Sequence, residues 1–142
     1  MSDKTVINLD IVVPNQTRYL SLIGNIGEDV ARFLDAYYSD SKDLAYHLNL
    51  VLTEAMVNAI NYGTCEEQED TVRVTLKIED GILCLKVYDR GQGFDLNSLP
   101  PPDLENLKES GRGIFLIRSI MDHVTYQKTE DGNVLEMYKK LY

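Results

Sequence analysis

Residues 71–88 read TVRVTLKIEDGILCLKVY. From Thr71 to Glu79 apolar and polar residues alternate, which is the period of a strand with one buried face. Asp80-Gly81 is a hairpin turn signal, because a two-residue turn needs positive φ at both positions. Residues 82–88 then form the returning strand. A tight antiparallel hairpin in mid-chain excludes a sheet built only from βαβ crossovers.

Working outward, residues 42–62 carry helical periodicity. Leu44, Leu48, Val51, Leu52, Ala55 and Ala59 share its apolar side, and Gly63 ends it. Residues 15–37 also repeat at helical spacing, through Tyr19, Leu22, Ile23, Ile26, Val30, Phe33 and Leu34. Asn15 is a candidate cap, and Gly24 and Gly27 weaken the helix and leave room for a bend. Residues 5–13, TVINLDIVV, are β-branched and read as a strand up to Pro14. Downstream, 90–113 is rich in glycine, proline and charge and reads as a mobile loop, with one helical turn near 104–107. A third helix spans 113–121, and two strands follow at 123–128 and 133–141. The order βααββ, loop, αββ predicts an α+β two-layer sandwich. Its sheet is mostly antiparallel, with helices on one face, in a single domain over 1–142.

Composition narrows the function. Hydrophobic residues are 44% of the 142 and charged residues 26%, enough for a real core. The net charge of −9 opposes phosphate backbones, so nucleic acid is not an expected partner. Cys65 and Cys84 match no metal spacing, and His47 and His123 are isolated. The start lacks the apolar core of a signal peptide, and no stretch is apolar enough to span a membrane. A soluble cytoplasmic protein without a membrane partner is expected.

Three polar elements interrupt the plan. In EAMVNAINYG, 54–63, the residues Glu54, Asn58 and Asn61 fall on one helical face at spacings of four and three. DRGQGF, 89–94, follows the hairpin directly. SGRGIFL, 110–116, enters the third helix. Taken singly, each has a structural reading, such as surface amides or a glycine turn. No Gly-x-x-x-x-Gly-Lys-Ser/Thr exists, so a P-loop is excluded. The dinucleotide fingerprint also fails, since Leu96 stands at its third glycine.

The joint pattern resembles the histidine-kinase-like (GHKL) ATPases of the Bergerat ATP-binding fold. LVLTEAMVNAINYG, 50–63, is similar to the family's N box. DRGQGF and GRGIFLI, 111–117, are similar to its two glycine boxes. ESGRGIFLIRSIMDHV is especially like the anti-sigma factor serine kinases. The resemblance implies ATP and Mg²⁺ as cofactors. It implies Asn58 as the Mg²⁺ ligand beside the ATP phosphates and Glu54 as the catalytic base. Asn61, Asp89, Gly91, Gly93, Gly111, Arg112 and Gly113 complete the nucleotide-binding set. Mg²⁺ needs few protein ligands when a triphosphate supplies oxygens. An ionised Asp89 only accepts hydrogen bonds, which suits the exocyclic amine of adenine.

The resemblance further implies phosphorylation of a STAS-type anti-anti-sigma protein, sequestration of a sigma factor and a homodimer with the first strand and sheet face near the contact. The alternative is a binding module that uses nucleotide without turnover. A stand-alone histidine kinase is disfavoured, because no phosphorylatable helical hairpin is present. Three positions depart from the family pattern: Asn133 follows Gly132 where the family often has threonine, Ser21 stands where a related anti-sigma kinase has a functional arginine, with Arg18 three residues earlier, and Tyr62 stands where histidine is common.

Overall fold

The computed structural model describes residues 6–34, 41–62, 71–90, 109–130 and 132–141, without the side chains of 41–42, 61–62 and 109–112. Strand β1 (Ile7–Pro14) leads through a 3₁₀ turn (Thr17–Tyr19) to helix α1 (Leu20–Leu34). Helix α2 (Ser41–Tyr62), the hairpin β2 (Thr71–Glu79) and β3 (Ile82–Asp89), and helix α3 (Glu109–Ile120) follow. Strands β4 (His123–Thr129) and β5 (Gly132–Lys140) complete the order. The sheet runs β1-β2-β3-β5-β4, and every neighbouring pair is antiparallel. This is the expected α+β sandwich.

The hairpin forms as its residues dictate. Asp80 and Gly81 take φ of 54° and 74°, the positive pair that a primed turn requires. Asp80 tolerates that region as Asp and Asn do. The Leu141 N–H donates to the Gly81 carbonyl, so the end of β5 ties down the turn.

Alternation sorts the sheet into two faces. Val72, Val74, Leu76 and Ile78 on β2 are buried, as are Leu83, Leu85 and Val87 on β3 and Leu135 and Met137 on β5. Against them lie Leu48, Leu52, Ala55, Met56 and Ala59 of α2 and Ile114 and Ile117 of α3. Each fully buried Leu, Ile or Met contributes about 1.5–3 kcal/mol of transfer free energy. The other face carries Asp10, Arg73, Lys77 and Glu79, exposed or in surface ion pairs.

Two expectations need correction on the first helix. Asn15 caps nothing, since its Oδ1 is buried without a partner and the turn it precedes has no side-chain cap. Gly24 and Gly27 do not break α1, which runs over 15 residues. They are the seam with α2. A Cβ on Gly24 would sit 2.8 Å from both Asn49 Oδ1 and Thr53 Oγ1, and one on Gly27 would sit 2.7 Å from Leu52 Cδ1. Close packing outweighs their poor helix propensity. Leu22 and Phe33, expected on the apolar stripe, are 49% and 76% exposed.

Helix α3 also begins at Glu109, four residues before the expected start. Its packing on α2 overrides the poor propensity of the Ser-Gly-Arg-Gly stretch. At its other end Lys139 Nζ donates to the Ile120 carbonyl at 3.0 Å, satisfying one of the orphan acceptors. The expected loop turn at 104–107 and the Gly63 stop lie outside the described residues.

Candidate nucleotide site

On helix α2, Glu54 lies against α3 and Asn58 is buried rather than open to bulk water. Glu54 is half-buried, and Asn58, one turn on, is only 6% exposed. The Asn58 amide nitrogen is buried without a hydrogen-bond partner. Such a group costs about 1–3 kcal/mol of desolvation, so a fold that keeps it has another use for the side chain. The amide oxygen of the same group is a hard donor of the kind Mg²⁺ takes. Among the described residues no three His, Cys, Asp or Glu side chains gather around a metal. A cation here would therefore draw most of its ligands from phosphate and water. Asn61 lies on the last turn of α2, and its side chain is outside the described set.

Gly113 faces Glu54. It is buried, and a Cβ built on it would lie 2.5 Å from Glu54 Oε2. The missing side chain is what lets the carboxylate reach the backbone of α3. Because α3 begins at Glu109, Arg112 and Gly113 lie beyond the first unpaired N–H groups, whereas Gly111 stands among them. Those free N–H groups favour an anion.

Asp89 is the last residue of β3 and is 6% exposed. It continues the buried alternation of Leu83, Leu85 and Val87, so its side chain points to the helix side. Its cross-strand partner is Asn133, 4% exposed. Asn133 Nδ2 donates to Asp89 Oδ1 at 2.9 Å. The asparagine that departs from the expected threonine thus makes a contact to the aspartate. Sequence reasoning did not count Asn133 in the site, although its position opposite Asp89 in an antiparallel pair was a usable signal. Gly132 holds φ of +137°, and a Cβ there would meet the Asp89 carbonyl oxygen at 2.5 Å, so only glycine fits that approach. Gly91 and Gly93 lie outside the described residues.

The structure thus sets Glu54 against Gly113 and Asp89 against Asn133, with Asn58 buried one turn from Glu54. A family model described as the histidine kinase-like ATPase domain matches residues 20–139. The chain belongs to this family. Relatives of this histidine kinase-like ATPase include the serine-protein kinase RsbW of Staphylococcus epidermidis. It is 30% identical over 140 residues, covering 92% of this chain and 85% of the relative. The serine-protein kinase RsbW of Halalkalibacterium halodurans is 28% identical over 141 residues, covering 94% and 83%. Among solved structures, the histidine kinase domain of the blue-light activated histidine kinase from Erythrobacter litoralis EL346 superposes with a TM-score of 0.53 at 17% identity. That match covers 99% of this chain and spans 64% of the solved chain's length, and it supports the fold. No helix among the described residues is long and apolar enough to cross a membrane.

Proposed function

We propose that this histidine kinase-like ATPase is an ATP-dependent protein serine/threonine kinase acting on a STAS-type anti-anti-sigma protein, and that it sequesters a sigma factor when that partner is phosphorylated. The observation that carries the reading is on α2: a buried asparagine whose amide nitrogen has no hydrogen-bond partner, one turn from a half-buried carboxylate. The similarity to serine-protein kinases supports the choice of chemistry.

Asn58, through its amide oxygen, would hold Mg²⁺ together with the ATP phosphates. Bound Mg²⁺ supplies charge neutralisation on the β- and γ-phosphates. Asp89, held by Asn133, accepts from the adenine amine and so selects ATP over GTP, whose base offers a carbonyl there. The backbone at Gly111 binds phosphate at the start of α3, with Arg112 beside it. Glu54 takes the proton from the partner's serine or threonine hydroxyl. The hydroxyl oxygen then forms its bond to the γ-phosphorus as the bond to ADP breaks. Asn61, Gly91 and Gly93 complete the pocket in this reading.

The test is mass spectrometry of STAS proteins from the same genome after incubation with the chain and Mg-ATP. One phosphorylated serine or threonine is expected, and none with Glu54→Ala. Unchanged ATP affinity in that variant separates a lost base from a lost pocket. Tight sigma-factor binding with nucleotide, without phosphate on any partner, sinks the kinase reading and leaves a nucleotide-dependent binding module.

A further inference from the structure

The facing ends of β4 and β5 hold Asn133 in place against Asp89. Thr129 pairs with Gly132 across the two strands, and its Oγ1 donates to the Gly132 carbonyl at 2.6 Å. Gly132 lays its backbone on the Asp89 carbonyl oxygen, which a Cβ would meet at 2.5 Å. Asn133 follows directly, opposite Asp89, and donates its Nδ2 to Asp89 Oδ1 at 2.9 Å. A supported amide of this kind fixes the plane of the carboxylate that it touches.

It also acts on the protonation of that carboxylate. Asp89 is 6% exposed. Burial by itself favours the neutral acid, whereas a hydrogen bond donated to the charged form favours the carboxylate. Among the described residues, the cations that adjoin the pair in chain or register are Arg90, after Asp89, and Lys128, opposite Asn133. Both are exposed, so water screens their pull. The Asn133 amide is buried with its acceptor and is not screened. Its N–H occupies Oδ1, where a proton on that oxygen would meet it head-on.

The protonation state in turn decides which purine fits. An ionised carboxylate only accepts, at about four lone-pair sites, so it takes the Asn133 N–H and a 6-amino group together. A neutral carboxyl gains an O–H donor, and a 6-oxo group accepts from it. Adenine carries the amine, and guanine and hypoxanthine carry the oxo group.

We propose that Asn133 is the positioning residue for purine selectivity: by donating to Asp89 it keeps the carboxylate acceptor-only and so excludes 6-oxo purine nucleotides. It acts through Asp89 and not on the base. The inference rests on the nucleotide site proposed above, with Asp89 reading the base, and is independent of phosphoryl transfer.

The experiment compares Asn133→Thr with Asn133→Val in the full chain. The two side chains have nearly one shape, both suit a strand, and only threonine keeps a donor. Calorimetry with the Mg²⁺ complexes of ADP, IDP and GDP reads the base with no phosphoryl transfer. IDP separates the 6-oxo group from the 2-amino group of GDP. The native chain should prefer ADP to both. Asn133→Val should narrow that preference roughly tenfold or more, the worth of one hydrogen bond to a charged group. Asn133→Thr should keep most of it. Asn133→Leu also lacks a donor, should match the valine variant, and replaces it if that variant does not fold. Leu135→Val, a buried change two residues along β5, should lower the melting temperature and leave the preference alone, which separates selectivity from stability. The proposal is overturned if the donor-less variants keep the native preference. It is overturned equally if Asn133→Thr loses as much as Asn133→Val, or if Leu135→Val loses the preference too. Those outcomes leave the nucleotide site standing. A native chain that binds none of the three, or binds ADP and IDP alike, removes the base-reading role of Asp89 and this inference with it.

Discussion

Asn133 donates its side-chain amide to Asp89 across the β3–β5 ladder, Nδ2 to Oδ1 at 2.9 Å, with both residues almost fully buried. A buried carboxylate needs donors, and this amide fixes its orientation. Replacing Asn133 with leucine removes one donor and leaves a buried acceptor short, at a cost of about 1–3 kcal/mol. The melting temperature should fall accordingly. Asp89→Asn behaves differently, because its amide oxygen can still accept from Asn133 while its amide nitrogen meets another donor on adenine. ATP affinity should drop roughly 5- to 150-fold, with less loss of stability than in Asn133→Leu. Calorimetry with ATP, together with thermal melts of both variants, checks the pair. Unchanged ATP affinity in Asp89→Asn would remove that residue from base recognition.

Asn58 reverses that balance. Its buried amide nitrogen has no partner, so an apolar residue of similar size removes a desolvation cost rather than a bond. Asn58→Leu should melt at the same temperature as the native chain or higher in the absence of nucleotide. It should also lose the Mg²⁺-dependent part of ATP binding. A variant that melts several degrees lower would show that the amide holds the fold and not a ligand.

How far could the sequence be read? The hairpin was legible because Asp80-Gly81 and the alternation around it are local signals, and local geometry satisfies both. The polar face of α2 was legible because Glu54, Asn58 and Asn61 are set by helical period alone. What failed was set by neighbours distant in sequence. Gly24 and Gly27 look like helix weakeners until Leu48, Asn49 and Leu52 of α2 lie on them. The start of α3 moved to Glu109 because packing on α2, not propensity, decides it. Asn133 looked like a departure until register placed it opposite Asp89.

The α1–α2 seam gives its own prediction. Gly27→Ala places a Cβ 2.7 Å from Leu52 Cδ1 and 3.2 Å from the backbone carbon of Leu48, which cannot yield easily. The overpacking should cost about 1–3 kcal/mol despite alanine's better helix propensity. Denaturant unfolding measures it. If Gly27→Ala is more stable than the native chain, the two helices do not rely on that approach.

Acid should weaken the Asp10–Arg73 pair on the open face in a defined direction. The Arg73 guanidinium, hydrogen-bonded to Asp10, holds its carboxyl below the usual range. A depressed folded-state pKa stabilises the fold above the unfolded value, about 3.9, and that contribution is lost as pH falls through the folded value. Both groups are exposed, so the effect is small. The melting-temperature gap between the native chain and Asp10→Asn should stay constant from about pH 7 to about pH 5 and close below about pH 4. A gap that widens in acid contradicts the assignment.

The contact between Gly113 and Glu54 offers the sharpest separation of stability from chemistry. A Cβ at position 113 meets Glu54 Oε2 at 2.5 Å, but Glu54 Cδ and Cβ only at 3.4 and 3.5 Å. The carboxylate is the far end of a flexible side chain, so it can swing away at little cost. Alanine also gains about 0.5–1 kcal/mol over glycine inside a helix. Gly113→Ala should therefore fold with near-native stability while holding the carboxylate in the wrong place. If Glu54 is the base, phosphoryl transfer to the STAS partner should fall by up to roughly 10²–10⁴-fold, the usual worth of general base catalysis, with ATP affinity largely kept. In a Glu54→Ala background the same substitution meets no carboxylate. There it should be stabilising and should cost no further activity, a non-additivity expected of two residues acting through one group. Single-turnover transfer rates and melts of the two single variants and the double variant close the cycle. Native transfer by Gly113→Ala would show that the position of Glu54 against α3 is irrelevant to the reaction.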